Sequence, residues 1–159
     1  MLITAPGRFS QILHVQNQQS NNTTGGTATT GSYQNCVLNT VVKNTIPGAS
    51  LSSNQPALPR GLYELFAEVP FYVCAGSNIE LYNATDAAKV ALFASNKFGS
   101  TGDGANVGSI LIGEFETLAT KAFNLRYRVA AGSNGSNLGT AKNFSEIEVF
   151  ANVIFRKIR

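Results

Sequence analysis

The chain of 159 residues has no tryptophan, one histidine, two cysteines and, at 13%, roughly half the usual share of charged side chains. Each shortage excludes a class of protein. With so few Glu, Lys and Arg, a coiled coil or long helical rod is excluded, and a hydrophobic content of 43% excludes a disordered tail. No run approaches the roughly 18 apolar residues that a membrane-spanning helix needs. The start, MLITAPGRFSQ, lacks the charged beginning and continuous apolar stretch of a signal peptide. Synthesis and retention in a cytoplasm are therefore expected, with no membrane partner. Cys36 and Cys74, far apart in the chain, read as buried thiols in a reducing compartment. The net charge is +3, from 12 Lys+Arg against 9 Asp+Glu. Because these charges are dispersed rather than gathered in a basic stripe with aromatics, direct nucleic-acid binding is not expected.

Catalytic and metal chemistry are equally short of residues. His14 has no Cys or His cluster around it, the cysteines lack CxxC spacing, and no zinc site is expected. Neither Gly31-Ser32 nor Gly108-Ser109 sits in a GxSxG frame, so no nucleophile elbow exists. The pairs Glu64/Glu68, Glu114/Glu116 and Glu146/Glu148 would lie about 7 Å or more apart on solvated strand faces, without the cleft that a glycosidase needs. The loop 102–106 offers Asp103 and Asn106 as oxygen ligands, yet lacks a dedicated calcium pattern and reads as a turn. The expectation is a protein that is not an enzyme, with no cofactor and no metal.

What is present is β-structure: short runs of Val, Ile, Leu, Phe and Tyr separated by Gly, Asn and Ser. Strands are expected over 10–16, within 33–45, and over 62–69, 73–82, 90–93, 109–117, 122–129 and 145–158. Residues 17–32 and 46–60 read as connections, 96–107 as a Gly-rich loop, and 130–140 as a hairpin loop carrying the Asn134-Gly135 turn signal. Thr85–Leu92, the one helix candidate, reads as a turn and a short strand. Pro70 should mark the end of its strand. In 62–69, Tyr63, Leu65, Ala67 and Val69 share one face; in 122–129, Phe123, Leu125, Tyr127 and Val129 do so. In the last strand Ile147, Val149, Ala151, Val153 and Phe155 form the expected inner face. So many short strands in one chain predict an all-β sandwich or barrel. Phe66, Phe150 and Ile154 fall on the faces that should meet water. Three such residues on strands that could be neighbours suggest a face covered by another subunit.

Ordered motifs then carry a resemblance. Leu38–Gln55, Leu58–Tyr63, Ala67–Pro70, Leu81–Ala87, Gly113–Phe115, Phe123–Tyr127 and Asn143–Val153 together resemble the C1q/TNF-like jelly-roll domains of tailed-phage virions. The resemblance runs from about Gln11 to Ile158 and implies an antiparallel jelly-roll β-sandwich, residues 11–159, preceded by an N-terminal arm, residues 1–10. It implies a homotrimer and places Phe66, Phe150 and Ile154 close to the three-fold packing. Residues 71–78 lack the basic and His residues associated with many relatives, so no ligand contact is carried over to them.

Such domains occur as capsid decoration (cement) proteins and as tips of tail fibres. Decoration is the favoured expectation, because only the arm of residues 1–10 precedes the jelly-roll domain, too few for a shaft. The expected partner is then the major capsid protein, and the expected location the capsid surface of a virion made in a bacterial cytoplasm. The alternative is a tail-fibre or tail-tip head whose partners are tail proteins and a host surface receptor. In the arm, Met1, Leu2, Ile3 and Phe9 flank Pro6-Gly7 and are expected either to anchor the protein to the capsid or to fold back along its own sandwich.

Overall fold

The computed structural model describes residues 11–97, 106–131 and 135–159. They form an all-β antiparallel sandwich. The strands are β1 (Gln11–Gln19), β2 (Gln34–Asn35), β3 (Thr40–Asn44), β4 (Ser50–Ser52), β5 (Gln55–Leu58), β6 (Gly61–Tyr72), β7 (Gly76–Asn83), β8 (Ala88–Lys97), β9 (Asn106–Thr117), β10 (Lys121–Val129) and β11 (Glu148–Lys157). Sheet A has the order β3-β1-β11-β6-β9. Sheet B has the order β4-β5-β10-β7-β8, with β2 also paired to β10. Apart from the hairpins β4-β5 and β7-β8, successive strands cross from one sheet to the other, the crossing pattern of a jelly roll.

Alternation explains the core. Tyr63, Leu65, Ala67, Val69 and Phe71 of β6 point inward, as do Phe123, Leu125, Tyr127 and Val129 of β10, all at most 4% exposed. Aromatic rings interlock between the sheets. Phe115 stacks on Tyr63 at 5.7 Å and meets Phe123 and Phe155 edge-on at 5.2 and 6.2 Å. The Tyr63 hydroxyl donates to the Pro59 carbonyl at 2.7 Å, and burial pushes the phenol up to about 12. Cys36 and Cys74 are buried, unbonded thiols, and burial raises both thiol pKa values.

Several expectations need correction, among them the strand expected over 90–93, which runs over Ala88–Lys97 as β8, and the one over 109–117, which begins at Asn106 as β9. Residues 46–60, read as a connection, contain β4 and β5, whose short Pro- and Ser-rich runs carry little apolar alternation. Pro70 does not end its strand: β6 continues to Tyr72, with Pro70 opposite Gly108 of β9. The β11 ladder ends at Glu68, so β6 is hydrogen-bonded on one side only at Pro70, the setting in which a residue without an N–H is tolerated. The connection read over 17–32 begins later, because β1 runs to Gln19, and it is tied to the chain near 138–139. Gly25 N–H donates to Gly139 C=O, and Leu138 N–H to Gly26 C=O, both at 3.0 Å. Gly25 has to be glycine, since a Cβ there would collide with the Leu138 carbonyl.

The last correction concerns β11. Gln16 pairs with Asn152 and Gln18 with Val149, so Phe150 and Ala151 together stand opposite Asn17. This β-bulge shifts the alternation by one residue. Phe150, Ala151 and Asn17 are all buried, whereas Val149 is 44% and Ile147 61% exposed. Ile147 and Val149 therefore do not join the inner face.

Candidate subunit interface

The outer face of sheet A is a ladder of cross-strand rows. In the central row, Lys43 stands beside His14, His14 beside Ile154, Ile154 beside Phe66, and Phe66 beside Ile112. Three of these five are large apolar side chains on adjacent strands, spanning about 10 Å at the usual strand spacing. The next row runs Gln16, Asn152, Glu68, Ile110. Ile112 is 64% and Ile110 51% exposed in the single chain. Phe66 and Ile154 are half-buried by their neighbours. Ile154, Phe66 and Ile112 line one shallow depression with Glu64 and Arg156, whose charges pair at 3.0 Å on its rim.

Polar groups on the other side of the apolar row are tied to one another. His14 Nε2 and Asn152 Oδ1 lie 2.6 Å apart, Gln16 Nε2 donates to the same oxygen at 3.2 Å, and Gln18 Nε2 donates to Gln16 Oε1 at 2.8 Å. An amide chain of this kind presents a flat, preorganised surface with little charge to desolvate. Chemically the face offers burial and hydrogen bonding.

Of the residues expected at an interface, Phe66 and Ile154 are brought together as Cα partners. Phe150 is not with them. The bulge turns it toward the interior, where Gly25, Gly139 and Pro70 of its own chain close around it, leaving it 8% exposed. Its cover is intramolecular, and it does not belong to the apolar row. Met1, Leu2, Ile3 and Phe9 lie outside the described residues, as does Asp103. Sequence reasoning overlooked Ile110 and Ile112. They share a strand face with Glu114 and Glu116, so the same test that singled out Phe66 would have found them.

Sheet B carries a different outer surface. Glu80, 3% exposed, accepts from Arg126 Nε at 2.9 Å and from Arg126 Nη2, with Lys89 Nζ at 3.7 Å. The Arg126 guanidinium lies 3.4 Å from the centroid of the Tyr82 ring and 5.0 Å from that of Tyr33. At the β10–β11 connection, Glu148 accepts from the N–H groups of Lys142 and Asn143, both at 2.9 Å. The Asn143 bond is the main reason its carboxyl titrates below the ordinary glutamate range; burial opposes it, and Lys142 and Asn22 assist.

The fold these strands define is the TNF-like jelly roll. Murine APRIL is similar in structure, with a TM-score of 0.60 and 12% sequence identity over 94% of this chain and all of that one. Eiger TNF from S. frugiperda is similar with a TM-score of 0.61 and 12% identity, over 96% of this chain and 94% of that one. No protein-family model matches the chain, and no curated protein matches it in sequence.

Proposed function

We propose that the protein is a non-enzymatic structural component of a tailed-phage virion, a homotrimeric decoration protein that binds and stabilises the assembled capsid. The observation that carries the trimer is the row Ile154–Phe66–Ile112, extended by Ile110, on the outer face of sheet A. A solvated sheet face should be polar, and this one has apolar side chains on three adjacent strands. A cyclic trimer removes that surface from water by packing each copy against the next.

The virion assignment is supported by the ordered motifs from Leu38–Gln55 to Asn143–Val153, and the TNF-like jelly roll is consistent with them. In this reading the partner is the major capsid protein, and Met1, Leu2, Ile3 and Phe9 supply the anchor. Imaging of purified virions tests it directly. Three-fold density on the shell that disappears in a deletion mutant is the expected result. Density at the tail would assign the protein instead to a fibre or tip head that meets a host receptor, and absence from virions would refute both.

A further inference from the structure

The outer face of sheet B ends in an open cleft of about 490 Å³, lined by Tyr33, Gly76, Asn78, Asn96, Arg128 and Ala130. That volume is in the range of small-ligand sites, about 300–1,000 Å³. The geometry points to a binding cleft for an acidic saccharide, a sugar carrying a carboxylate beside its hydroxyls.

The charge requirement comes from Arg128. Arg128 and Asn78 are paired across β10 and β7, and Asn78 and Ser95 across β7 and β8, forming one polar row over three strands. The Arg128 side chain is exposed, and no carboxylate pairs with it among the described residues. The neighbouring Arg126 is already engaged by Glu80. The unneutralised charge at the cleft is thus a guanidinium, whose planar fork matches a carboxylate.

The sugar requirement comes from the remaining groups. The Tyr33 hydroxyl donates to Asn78 Oδ1 at 2.6 Å, and Asn78 Nδ2 donates to Ser95 Oγ at 2.7 Å. This chain fixes the orientation of all three groups. At the cleft wall it leaves the Tyr33 oxygen lone pairs as an acceptor, and beside the wall, on β8, the Ser95 hydroxyl hydrogen as a donor, groups of the kind that sugar hydroxyls satisfy. Burial and then the Glu80 charge raise the Tyr33 pKa, so its hydroxyl stays protonated. Arg126 and Lys89, 5.0 and 5.7 Å from the Tyr33 centroid, hold the ring in place beside the cleft. Arg126 is itself held by Glu80, so the buried ion pair acts as a positioning device for the aromatic wall.

The test is calorimetric titration of the full chain with an oligogalacturonate, with the carboxyl-reduced oligomer as control. Saturable, salt-sensitive binding is expected, weakened about tenfold or more by Arg128→Gln and by carboxyl reduction. Because Arg128 is exposed, the variant should melt with wild type. Absence of saturable binding, or equal binding by the variant, would overturn the proposal. Equal competition by poly-glutamate would show a surface that reads acidic peptide rather than sugar. The cleft lies on sheet B, so either failure leaves the subunit interface on sheet A untouched.

Discussion

Two glutamates show how a carboxylate survives burial in a chain poor in charge. Glu148 is held by the peptide N–H groups of Lys142 and Asn143, and Glu80 by a guanidinium. Their tests differ accordingly. A carboxyl whose pKa is depressed by folding stabilises the protein above its unfolded value near 4.5, and that contribution is lost as pH falls through the folded value. Glu148→Gln should therefore lower the urea midpoint at pH 7, and the gap from wild type should close as pH drops below about 4.5. A gap that stayed constant down to pH 2 would show that the N–H bonds are not what lowers this carboxyl. At Glu80 the partner is the variable. Arg126→Met leaves a buried carboxylate with only the distant Lys89 cation and the neutral Tyr33 hydroxyl near it, and about 3 kcal/mol of destabilisation is expected. Glu80→Leu in the same chain should recover much of it, as a double-mutant cycle in denaturant would reveal. Neither site was legible in the sequence: Glu80 and Glu148 look like ordinary polar positions in alternating strands until their cross-strand partners are known.

At the scale of the element, legibility followed regular alternation and failed where it was broken. β6 and β10 could be read residue by residue because both keep a period of two along their described length. β11 could not. Its pattern supports an inner face through Ile147 and Val149, and only the pairing with β1 reveals that Phe150 and Ala151 oppose Asn17. The bulge is a long-range property, set by strands more than 130 residues apart in the chain. β4 and β5 were missed for the opposite reason, since three- and four-residue strands hold too few side chains to display a period. Placing Phe150 in the interior changes what its mutation should do. Phe150→Ala empties a site closed by Gly25, Gly139 and Pro70, and a loss of about 3 kcal/mol is expected in chemical denaturation. The oligomeric state should not change while the chain is folded. If the variant kept wild-type stability but dissociated, Phe150 would belong to an interface after all.

For the molecule as a whole, the jelly roll was legible because many short strands, absent helix signals and ordered motifs agreed. The face that would join one copy to another was only half legible, as Phe66 and Ile154 without Ile110 and Ile112. Ile112 offers the cleanest test because it is 64% exposed in the single chain. Its side chain contributes little to the protomer's own core, so Ile112→Asp should leave the circular dichroism spectrum unchanged. In the proposed trimer the same carboxylate would be buried among Phe66 and Ile154, close to Glu64 and Glu68, and Arg156, the cation of the same depression, is already paired with Glu64. An unpaired buried charge costs several kcal/mol, and three-fold symmetry repeats that cost at every interface. Light scattering should then report monomer for the variant at concentrations where wild type is trimeric. Melting should carry the same signature: the wild-type midpoint rises with protein concentration, as mass action requires of a folded assembly, whereas that of the variant does not. A trimer that survives Ile112→Asp would place the contact elsewhere on the molecule, and a wild-type chain that is monomeric at every concentration would remove the assembly altogether.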